Sequence, residues 1–290
     1  MQIKFQTALI TGSSRGLGRQ IAVKLAAEGV RKIAIHYRTG RSDAETTLSL
    51  IESAGASGVL VQGDVADPVA AESLVKEGAQ KLGGCDIFVQ SVCPPLREIY
   101  EHVMATELSL EKWQLAFDTQ ARAFFIGART AAKFMRGGGR IIGMSYSQSG
   151  RTGGWQPWVG MGSAKAAMDS ISRYFAVALG RHGITVNTVS PGMSDAGVMG
   201  QTPQEFQDAV KGWVESGWTP MRRRGTAGDI ADVCALLCSD EARFVTGHGI
   251  SVDGGSSLMN PDFPLPLQSP LSAAHLFSAR QIPSHIQPGR

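Results

Sequence analysis

Short apolar runs alternate along this chain with longer stretches in which apolar residues recur at helical spacing. The first run, 7–10, is followed by Ile21 and Leu25, which lie on one face of a predicted helix. Runs that are almost continuously apolar and separated by such helices are typical of strands buried on both faces of a parallel sheet. The predicted strands are residues 7–10, 32–35, 59–61, 87–89, 140–143, 184–187 and 248–252.

This alternation of strands and helices predicts an α/β fold, a doubly wound parallel sheet of the Rossmann type with helices on both faces. The alternation accounts for residues 1–258, which we predict to form a single domain. Beyond it the composition changes, because residues 260–290 hold six of the 13 Pro residues and only three charged side chains. Residues 259–290 are therefore predicted to be a Pro-rich C-terminal tail.

The composition narrows the classes of function. With 290 residues, 43% of them apolar, the chain can bury a full core. Its net charge of +3 comes from 28 Lys and Arg against 25 Asp and Glu, without a dense basic tract, which does not indicate a nucleic-acid partner. No apolar stretch reaches the roughly 18–20 residues of a membrane span. Because four Cys residues do not make a disulfide framework, we expect a soluble, cytoplasmic protein.

A glycine-rich turn follows the first strand and opens the first predicted helix. Glycines let the backbone turn tightly and approach a pyrophosphate, and the helix N-terminus supplies free N–H groups and a positive dipole end. A turn between a strand and a helix can also be purely structural, but this position in a doubly wound sheet favours nucleotide binding. The predicted nucleotide-binding residues of the turn are Gly12, Ser14, Arg15, Gly16, Leu17 and Gly18.

The segment after the second strand indicates which nucleotide is bound. NAD sites usually place a carboxylate here to hold the ribose 2′-hydroxyl, whereas a 2′-phosphate needs cations. No acidic residue lies between His36 and Ser42. The same segment contains Arg38 and Arg41, and the glycine-rich turn contributes Arg15. The sequence therefore favours NADP(H), although Arg38 and Arg41 could also be solvated loop residues.

Several segments together resemble the short-chain dehydrogenase/reductase family over residues 5–258. The matching stretches are 11–18, 63–65, 163–167, 186–192 and 252–255. The resemblance implies that the domain is an NADP-binding reductase that assembles as a homotetramer or homodimer. It also implies that Asp64 and Val65 meet the adenine edge. The other cofactor contacts that it implies come from Ser91, Lys165, Pro191, Gly192 and Ser194.

The chain departs from the family at its catalytic signature, a Tyr four residues before a Lys. The Lys corresponds to Lys165, but the position four residues earlier is Met161. A thioether has no acidic proton and cannot protonate an alkoxide. The family's Asn-Asn-Ala-Gly segment is also replaced, by residues 90–93. Ordinary carbonyl reduction therefore lacks its usual acid in this chain.

One branch of the family fits these departures better. Enoyl-thioester reductases carry a Tyr seven residues before the Lys, followed by Met-Gly-X-Ala-Lys. This chain has Trp158 at the Tyr position and then matches from Met161 to Lys165. The branch also tends to read Ser-Tyr after the fifth strand, where this chain has Ser145 and Tyr146. Gln120 corresponds to a structural Asn of the family that holds a water near the Lys.

The two reductions need different proton donors. Reduction of a ketone makes an alkoxide that must be protonated, so a general acid at the oxygen is valuable. Hydride addition to the β-carbon of an enoyl thioester makes an enolate, whose oxygen needs hydrogen bonds while the α-carbon takes the proton. An indole N–H can donate such a bond but cannot give up its proton. Trp158 thus suits enolate chemistry better than carbonyl chemistry.

The predicted catalytic residues are Tyr146, Trp158 and Lys165. Tyr146 is expected to hydrogen-bond the thioester carbonyl, and Trp158 to line the site or donate a second bond. Lys165 is expected to hold the nicotinamide ribose and to lower the pKa of the phenol. Tyr146 could instead be a surface aromatic and Trp158 could simply pack. Ser147 and Ser149 are alternatives, because the register after the strand is open by a residue or two.

The predicted function is NADPH-dependent reduction of the C=C bond of an enoyl-CoA or enoyl-carrier-protein substrate. One alternative is a carbonyl (3-oxoacyl) reductase that uses Tyr146 or Ser147. A second alternative is an NADP-binding protein that no longer transfers hydride. No metal site is predicted, because Cys234 and Cys238 lack ligating neighbours and are expected in the core.

The segment 193–220 is expected to cover the substrate. Its apolar side chains suit an acyl chain; they are Val198, Met199, Phe206, Val210, Trp213 and Trp218. Three of them, Phe206, Val210 and Trp213, could equally form the inner stripe of an amphipathic helix. Residues 222–224, three consecutive Arg, could meet an acidic carrier protein or a CoA phosphate, or could simply anchor a loop.

Overall fold

The strands form one sheet in which every strand pairs with its neighbours in parallel. The computed structural model describes residues 3–146, 154–195 and 202–259. All the predicted strands are confirmed. They are β1 Thr7–Thr11, β2 Lys32–Tyr37, β3 Ser57–Gln62, β4 Ile87–Gln90, β5 Gly139–Met144, β6 Ile184–Pro191 and β7 Gly249–Val252.

The strand order is β3-β2-β1-β4-β5-β6-β7. The chain therefore builds outward from β1 in one direction and then crosses to the other side with β4, which is the doubly wound arrangement predicted. The pairing of β1 with β4 runs from Ala8 opposite Ile87 to Thr11 opposite Gln90. Because all strands are parallel, their carboxyl ends meet at one edge, and the order reverses between β1 and β4, where such sheets bind ligands.

Helices connect the strands and cover both faces of the sheet. A turn of π-helix, Asp118–Arg122, joins α5 to α6, and a short 3₁₀ turn, Gln156–Trp158, leads into α7. Within the described ranges, no helix is both long and apolar enough to cross a bilayer. The helices are α1 Gly16–Ala27, α2 Arg41–Ser53, α3 Pro68–Leu82, α4 Leu96–Ile99, α5 Leu110–Phe117, α6 Ala123–Ala131, α7 Val159–Gly180, α8 Gln204–Trp213 and α9 Ala227–Cys238.

The sheet is buried on both faces, which explains why its strands read as nearly continuous apolar runs. In β1, Ala8 and Ile10 belong to one core and Leu9 to the other. The first core packs α1, α2 and α9 against the sheet, and the second packs α3, α6 and α7. Cys234 and Cys238 of α9 are buried in the first core, as predicted.

The close approach of α6 to the sheet depends on a glycine. A β-carbon at Gly127 would lie 2.4 Å from Cζ of Phe88. The Phe88 ring is fully buried in β4 and has no free space to retreat into. The missing side chain at Gly127 therefore sets the distance between the helix and the strand that carries the site.

We expect Gly127→Ala to lower the free energy of unfolding by about 1–3 kcal/mol, because the added methyl overpacks the core against Phe88. The matched control is Gly212→Ala in α8, where an added β-carbon would meet nothing within 4 Å. The control should instead be stabilised by up to about 1 kcal/mol, since Ala favours the helix over Gly. Urea denaturation followed by circular dichroism measures both, and equal effects would contradict this account of α6 packing.

Candidate functional site

The predicted site residues gather at the edge of the sheet where the strands end. β4 ends at Gln90, β5 at Met144 and β6 at Pro191, and these strands lie side by side with β1. α7 carries Lys165 across the end of β5, where its ammonium donates a hydrogen bond to the main-chain oxygen of Met144. The topology thus brings residues from four distant parts of the sequence to one place.

The glycine-rich turn has the shape that a pyrophosphate needs. Gly12 and Gly16 have φ values of +67° and +57°, a backbone region that favours glycine. A β-carbon at Gly18 would lie 2.3 Å from the carbonyl oxygen of Gly12, so α1 packs directly on the turn. A β-carbon at Gly16 would meet nothing within 4 Å. The N-terminus of α1 is therefore open on the side where a phosphate would accept its N–H groups.

His36 holds the glycine-rich turn from beneath. Its Nδ1 accepts a hydrogen bond from the Gly12 N–H at 2.9 Å, and its Nε2 lies 3.0 Å from the carbonyl oxygen of Gly63. Because Nδ1 accepts from an N–H, the proton must lie on Nε2, which then donates to Gly63. The Ser13 hydroxyl completes the tie by accepting from the His36 N–H and donating to the Ile10 carbonyl. One neutral ring thus fixes two of the predicted cofactor loops to each other.

Burial lowers the pKa of His36 to about 4, and the carbonyl of Gly63 and the charge of Asp64 oppose this only in part. The ring is 2% exposed, so a charged imidazole would lose nearly all its hydration. A protonated ring could also no longer accept from the Gly12 N–H. His36 is therefore neutral wherever the turn is intact.

Arg38 is paired with acidic residues that lie outside the acid-free segment 36–42. Glu98, on α4, accepts from its two terminal nitrogens, with Nη2–Oε1 at 3.0 Å and Nη1–Oε2 at 3.3 Å. Asp64 lies 3.7 Å from Nη1. Arg41 forms an exposed ion pair with Glu45 one helical turn away, which fits the reading of a solvated residue. Asp64 follows β3 and Glu98 lies on α4, so the sequence of the segment after β2 does not show either of them.

Asp64 and Val65 follow β3, where they were predicted to meet the adenine. One carboxylate oxygen of Asp64 accepts from the Ala66 N–H at 2.9 Å, and the other faces Arg38. The Val65 side chain is buried in the second core, so only its main chain can face a ligand. Arg122 of the π-turn donates to the Ala66 carbonyl and holds this loop against the helix.

Lys165 is a buried cation. Burial lowers its pKa to about 8, while the charges of Cys93 and Asp169 raise it in part. The side chain is 7% exposed, and its ammonium is held by the carbonyl of Met144 at the end of β5. Such a group keeps a positive charge at neutral pH and can donate its remaining N–H bonds to a hydroxyl-bearing ligand.

Tyr146 and Trp158 line the same cavity, which has a volume of about 260 Å³. The structure therefore brings together the two predicted donors, which lie twelve positions apart in sequence. Burial raises the pKa of the Tyr146 phenol. This corrects the expectation that Lys165 would lower it, because the phenol is desolvated while the ammonium is directed to the main chain. Tyr146 is consequently a protonated donor.

Met161 lies in a small apolar cluster with Ile99, Ala116 and Ala164, and it is 3% exposed. Trp158 packs against the same cluster while its other side faces the cavity. The position from which the family's acid would act is therefore filled by a side chain that packs in the core. Trp158 combines the two roles considered for it, packing and lining.

Buried hydroxyls at the strand ends leave hydrogen-bonding capacity for a ligand. Thr11 donates to the Gln90 side chain at 2.8 Å and accepts from the Ser91 N–H at 3.1 Å. Across the described ranges, no partner reaches Oγ of Ser91, Oγ of Ser145 or Oε1 of Gln120. Buried polar atoms normally have a partner in protein, water or ligand. These three therefore fit a site that is completed by bound polar groups.

The end of β6 provides the remaining predicted cofactor contacts. The Gly192 N–H donates to the Val252 carbonyl at 3.0 Å, and a β-carbon at Gly192 would lie 2.4 Å from Cβ of Asp253. Pro191 ends the strand, and Ser194 bridges to Gly225. The 252–255 motif is thus explained by close packing against this turn.

Some predicted residues fall outside the described ranges. They are Ser147, Ser149, Val198, Met199 and the tail 260–290. Among the described ones, Phe206 and Val210 of α8 pack with Met193, whereas Trp213 is 43% exposed. The predicted inner stripe of α8 is therefore confirmed for two of its three members.

Aromatic rings cluster around Trp155, which lines the cavity. Trp155 stacks on Trp158 and on Phe206, with ring centroids 5.6 Å and 6.2 Å away. Tyr100 is tilted against Trp155, with the ring centroids 6.0 Å apart. These contacts join the 3₁₀ turn, α8 and the segment after α4 around one indole.

A larger cleft of about 550 Å³ lies at the opposite edge of the sheet, where α7 ends and β6 begins. Its lining includes Arg129, Lys133, Arg136 and Arg181 and none of the predicted site residues. Basic side chains there complement the negative ends of two helix dipoles. We therefore assign the candidate site to the smaller cavity beside Tyr146.

His36 and Glu98 are site residues that the sequence reading missed. A His near the end of an apolar strand is an unusual choice that could have marked His36. Glu98 gave no comparable signal, because only the tertiary fold brings it from beyond β4 to the end of β2.

The chain is similar in sequence to several reductases. The sequence model of a family described as enoyl-(acyl carrier protein) reductase matches residues 12–257. The 1-cyclohexenylcarbonyl-CoA reductase of Streptomyces collinus is 34% identical over 266 residues, covering 89% of this chain and 89% of that protein. The 3-oxoacyl-(acyl-carrier-protein) reductase of Staphylococcus aureus is 30% identical over 254 residues, covering 86% of this chain and 97% of that protein.

A solved structure shares the fold and was determined with a nucleotide. A short-chain dehydrogenase of Burkholderia cenocepacia in complex with NADP superposes with a TM-score of 0.76 at 30% identity, covering 87% of this chain and 97% of that one. The relatives thus include one protein named for an enoyl thioester and one named for a 3-oxoacyl thioester.

We expect His36→Asn to be less stable than wild type, and we expect this difference in unfolding free energy to be smaller at low pH. The unfolded His binds a proton below its usual pKa of about 6.5, whereas the folded pKa is about 4. Wild-type stability therefore falls as the pH drops from 6.5 toward 4, by roughly 2 kcal/mol at pH 5. The variant lacks this penalty, so the gap in unfolding free energy between it and wild type should be narrower at pH 5 than at pH 7.

Urea denaturation at the two pH values measures that gap. His248→Asn is the control, since it replaces an exposed His by the same residue type. A gap for His36→Asn that stays constant would show that the ring is not buried in its neutral form.

Proposed function

This chain belongs to the short-chain dehydrogenase/reductase family, and we propose that it reduces the C=C bond of an enoyl thioester with NADPH as the hydride donor. The family and its named reductases make the protein an oxidoreductase. The observation that carries the finer assignment is the pair of donors on one cavity, Tyr146 and Trp158, beside a Met161 that has no proton to give.

NADP(H) fits the residues at the strand ends. The open N-terminus of α1 beside Gly16 suits the pyrophosphate, and Ser91 has a buried hydroxyl that lacks a partner among the described residues. Arg15 and Arg38 supply cations for a 2′-phosphate, and Lys165 supplies an ammonium for the nicotinamide ribose. The NADP held by the Burkholderia cenocepacia protein supports this choice.

The chemistry divides between the cofactor and the chain. When bound, NADPH supplies the hydride that adds to the β-carbon of the substrate. Tyr146 donates its O–H to the thioester oxygen, where negative charge develops, and the raised pKa of the phenol keeps that proton in place. Trp158 closes the cavity and offers its indole N–H as a second donor. The α-carbon then takes its proton from water, because Met161 has none.

The hydrogen bond from Tyr146 to the substrate oxygen is expected to contribute much of the stabilisation of the enolate. A hydrogen bond to an oxyanion in a pocket from which water is excluded is typically worth about 3–4 kcal/mol. This matches the need of an enolate, which is stabilised by donation and does not require immediate protonation at oxygen. A ketone reduced in the same cavity would leave an alkoxide that needs a proton, and Met161 supplies none from the position of the family's acid.

The acyl side of the site suits a thioester with an apolar group. Trp155 and Trp158 line the cavity with stacked rings, and Phe206 stacks on Trp155; CoA or a carrier protein would hold the other end of the substrate. The relative named for a cyclohexenylcarbonyl-CoA supports this class. We also propose a homotetramer or homodimer and a cytoplasmic location, on the family resemblance.

A second candidate, reduction of a 3-oxoacyl thioester, is favoured by the similarity to the Staphylococcus aureus enzyme. In that case Tyr146 would have to protonate the alkoxide, although it lies away from the position four residues before Lys165 that the family's acid occupies. Met161 fills that position and is buried in an apolar cluster, which is why we place enoyl reduction first.

A panel of thioesters separates the candidates. We expect the purified protein to consume NADPH with 2-enoyl-CoA substrates, and at least about tenfold more slowly with the matched 3-oxoacyl-CoA substrates. NADPH absorbance and mass spectrometry of the acyl product measure this. Faster turnover of the 3-oxoacyl series would reject enoyl reduction, and no turnover despite NADPH binding would indicate a protein without hydride transfer.

Tyr146→Phe should lower kcat for the enoyl substrate by at least about tenfold with a smaller change in KM, because the lost O–H acts mainly on the developing charge. Trp158→Phe keeps the packing and should lower kcat less than Tyr146→Phe does. Steady-state kinetics on both variants test the order. If Tyr146→Phe turns over at the wild-type rate, Tyr146 has no part in the reaction.

A further inference from the structure

Arg38, the first residue after β2, forms ion pairs with two acidic residues of the protein, Glu98 and Asp64. Arg38 stands directly after Tyr37, at the position where dinucleotide-binding folds distinguish a ribose 2′-hydroxyl from a 2′-phosphate. Its main-chain carbonyl accepts from Nε2 of Gln62 at 3.0 Å, so β3 fixes its backbone. The side chain is free of that tie and reaches across to α4.

The contact with Glu98 uses both terminal nitrogens of the guanidinium. Nη2 lies 3.0 Å from Oε1 and 3.3 Å from Oε2 of Glu98, and Nη1 lies 3.3 Å from Oε2. This end-on pairing resembles the bidentate geometry that Arg uses for a phosphate. The hydrogen bond to Glu98 is also the main reason why the pKa of Arg38 is raised. A 2′-phosphate would therefore compete with Glu98 for the same donors.

Glu98 is held in place by its neighbour in sequence. Ile99 is 3% exposed and packs with Ala116 and Met161 in the apolar cluster behind the cavity. α4 is thus anchored, and the Glu98 side chain is only 26% exposed. A carboxylate on an anchored helix retains its position more firmly than one on a free loop, so it continues to act on Arg38 when a nucleotide approaches.

The charge balance around Arg38 is negative. One guanidinium faces two carboxylates, those of Glu98 and Asp64, which leaves a formal charge of −1 in the cluster. Arg15 is exposed at the start of α1 and has no ion pair among the residues that the structure describes, so it remains available. The site can attract a 2′-phosphate through Arg15 and Arg38, but the carboxylates of Glu98 and Asp64 offset the positive charge of Arg38.

We propose that Glu98 is a specificity-determining residue, which weakens the binding of 2′-phosphorylated nucleotides by occupying Arg38 and so narrows the preference for NADP(H) over NAD(H). The inference rests on the proposed function, because it concerns the same cofactor site. Glu98 does not touch the ribose 2′-hydroxyl in this account and acts only through Arg38. NAD(H), which lacks the 2′-phosphate, is accordingly insensitive to it.

Glu98→Gln is the direct test, since it removes the charge and keeps the size of the side chain. We expect the Kd of NADPH to fall about fivefold, the equivalent of an exposed ion pair of roughly 1 kcal/mol, and the Kd of NADH to change less than about twofold. Intrinsic tryptophan fluorescence of the full chain, titrated with each nucleotide, measures both. The same comparison with 2′,5′-ADP and 5′-AMP isolates the adenosine end.

Glu45→Gln is the matched control, because Glu45 also pairs with an Arg of this region, Arg41, but through a single exposed contact of 2.9 Å to its Nε. It should leave both Kd values within about twofold of wild type. In an Arg38→Ala background, Glu98→Gln should no longer tighten NADPH binding. This second variant distinguishes an effect through Arg38 from a general change in charge.

Unchanged or weaker NADPH binding in Glu98→Gln would overturn the inference and make Glu98 a residue that merely orients Arg38. An equal gain for NADH would overturn it as well, since the effect would then not depend on the 2′-phosphate. Failure of the wild-type chain to bind either nucleotide would instead overturn the proposed function. The two failures are therefore distinguishable.

Discussion

Burial of the sheet on both faces is the constraint that decides where this protein can carry polar chemistry. The central strands send apolar side chains to both cores, as Ala8, Leu9 and Ile10 do in β1. The strand ends differ, because main-chain groups there lose their ladder partners and can bind polar side chains. At the carboxyl-end edge, Lys165 and Gln90 donate hydrogen bonds to main-chain carbonyls, and Thr11 donates one to the Gln90 side chain.

The same constraint fixes the protonation states at this edge. His36 stays neutral because its ring is buried and accepts an N–H, and Tyr146 keeps its proton because burial raises its pKa. Lys165 is the exception, a buried cation that retains its charge at neutral pH with the help of a carbonyl and of nearby acidic groups. A site with one fixed cation and protonated donors is suited to hold negative charge on a ligand.

Replacement of a catalytic acid by a core residue changes what such a site can do. Met161 fills its position as part of an apolar cluster, and Trp158 bridges that cluster and the cavity. The cluster also anchors α4 through Ile99, and α4 carries Glu98 to Arg38. The apolar cluster behind the cavity therefore also positions the carboxylate that pairs with Arg38, because Ile99 and Glu98 are neighbours on α4.

Much of this protein follows from its sequence alone. The apolar runs specified the strands and the parallel sheet, because a strand buried on both faces needs a nearly continuous apolar composition. The glycines of the first turn predicted a backbone that only they adopt readily, and Gly12 and Gly16 have it. The change from Tyr to Met161 was also visible in the sequence, since a side chain without a proton excludes acid catalysis wherever it lies.

The tertiary structure decided which of these residues meet. Glu98 reaches Arg38 across 60 positions of sequence, and His36 ties β2 to turns on both sides of it. Local patterns encode secondary structure, but they hold no record of contacts between segments that only the sheet order brings together. The pKa of Tyr146 illustrates the same limit, because burial rather than the expected ammonium sets its direction. The sequence thus determined the fold and the kind of site, and the packing of distant segments determined its charges and protonation.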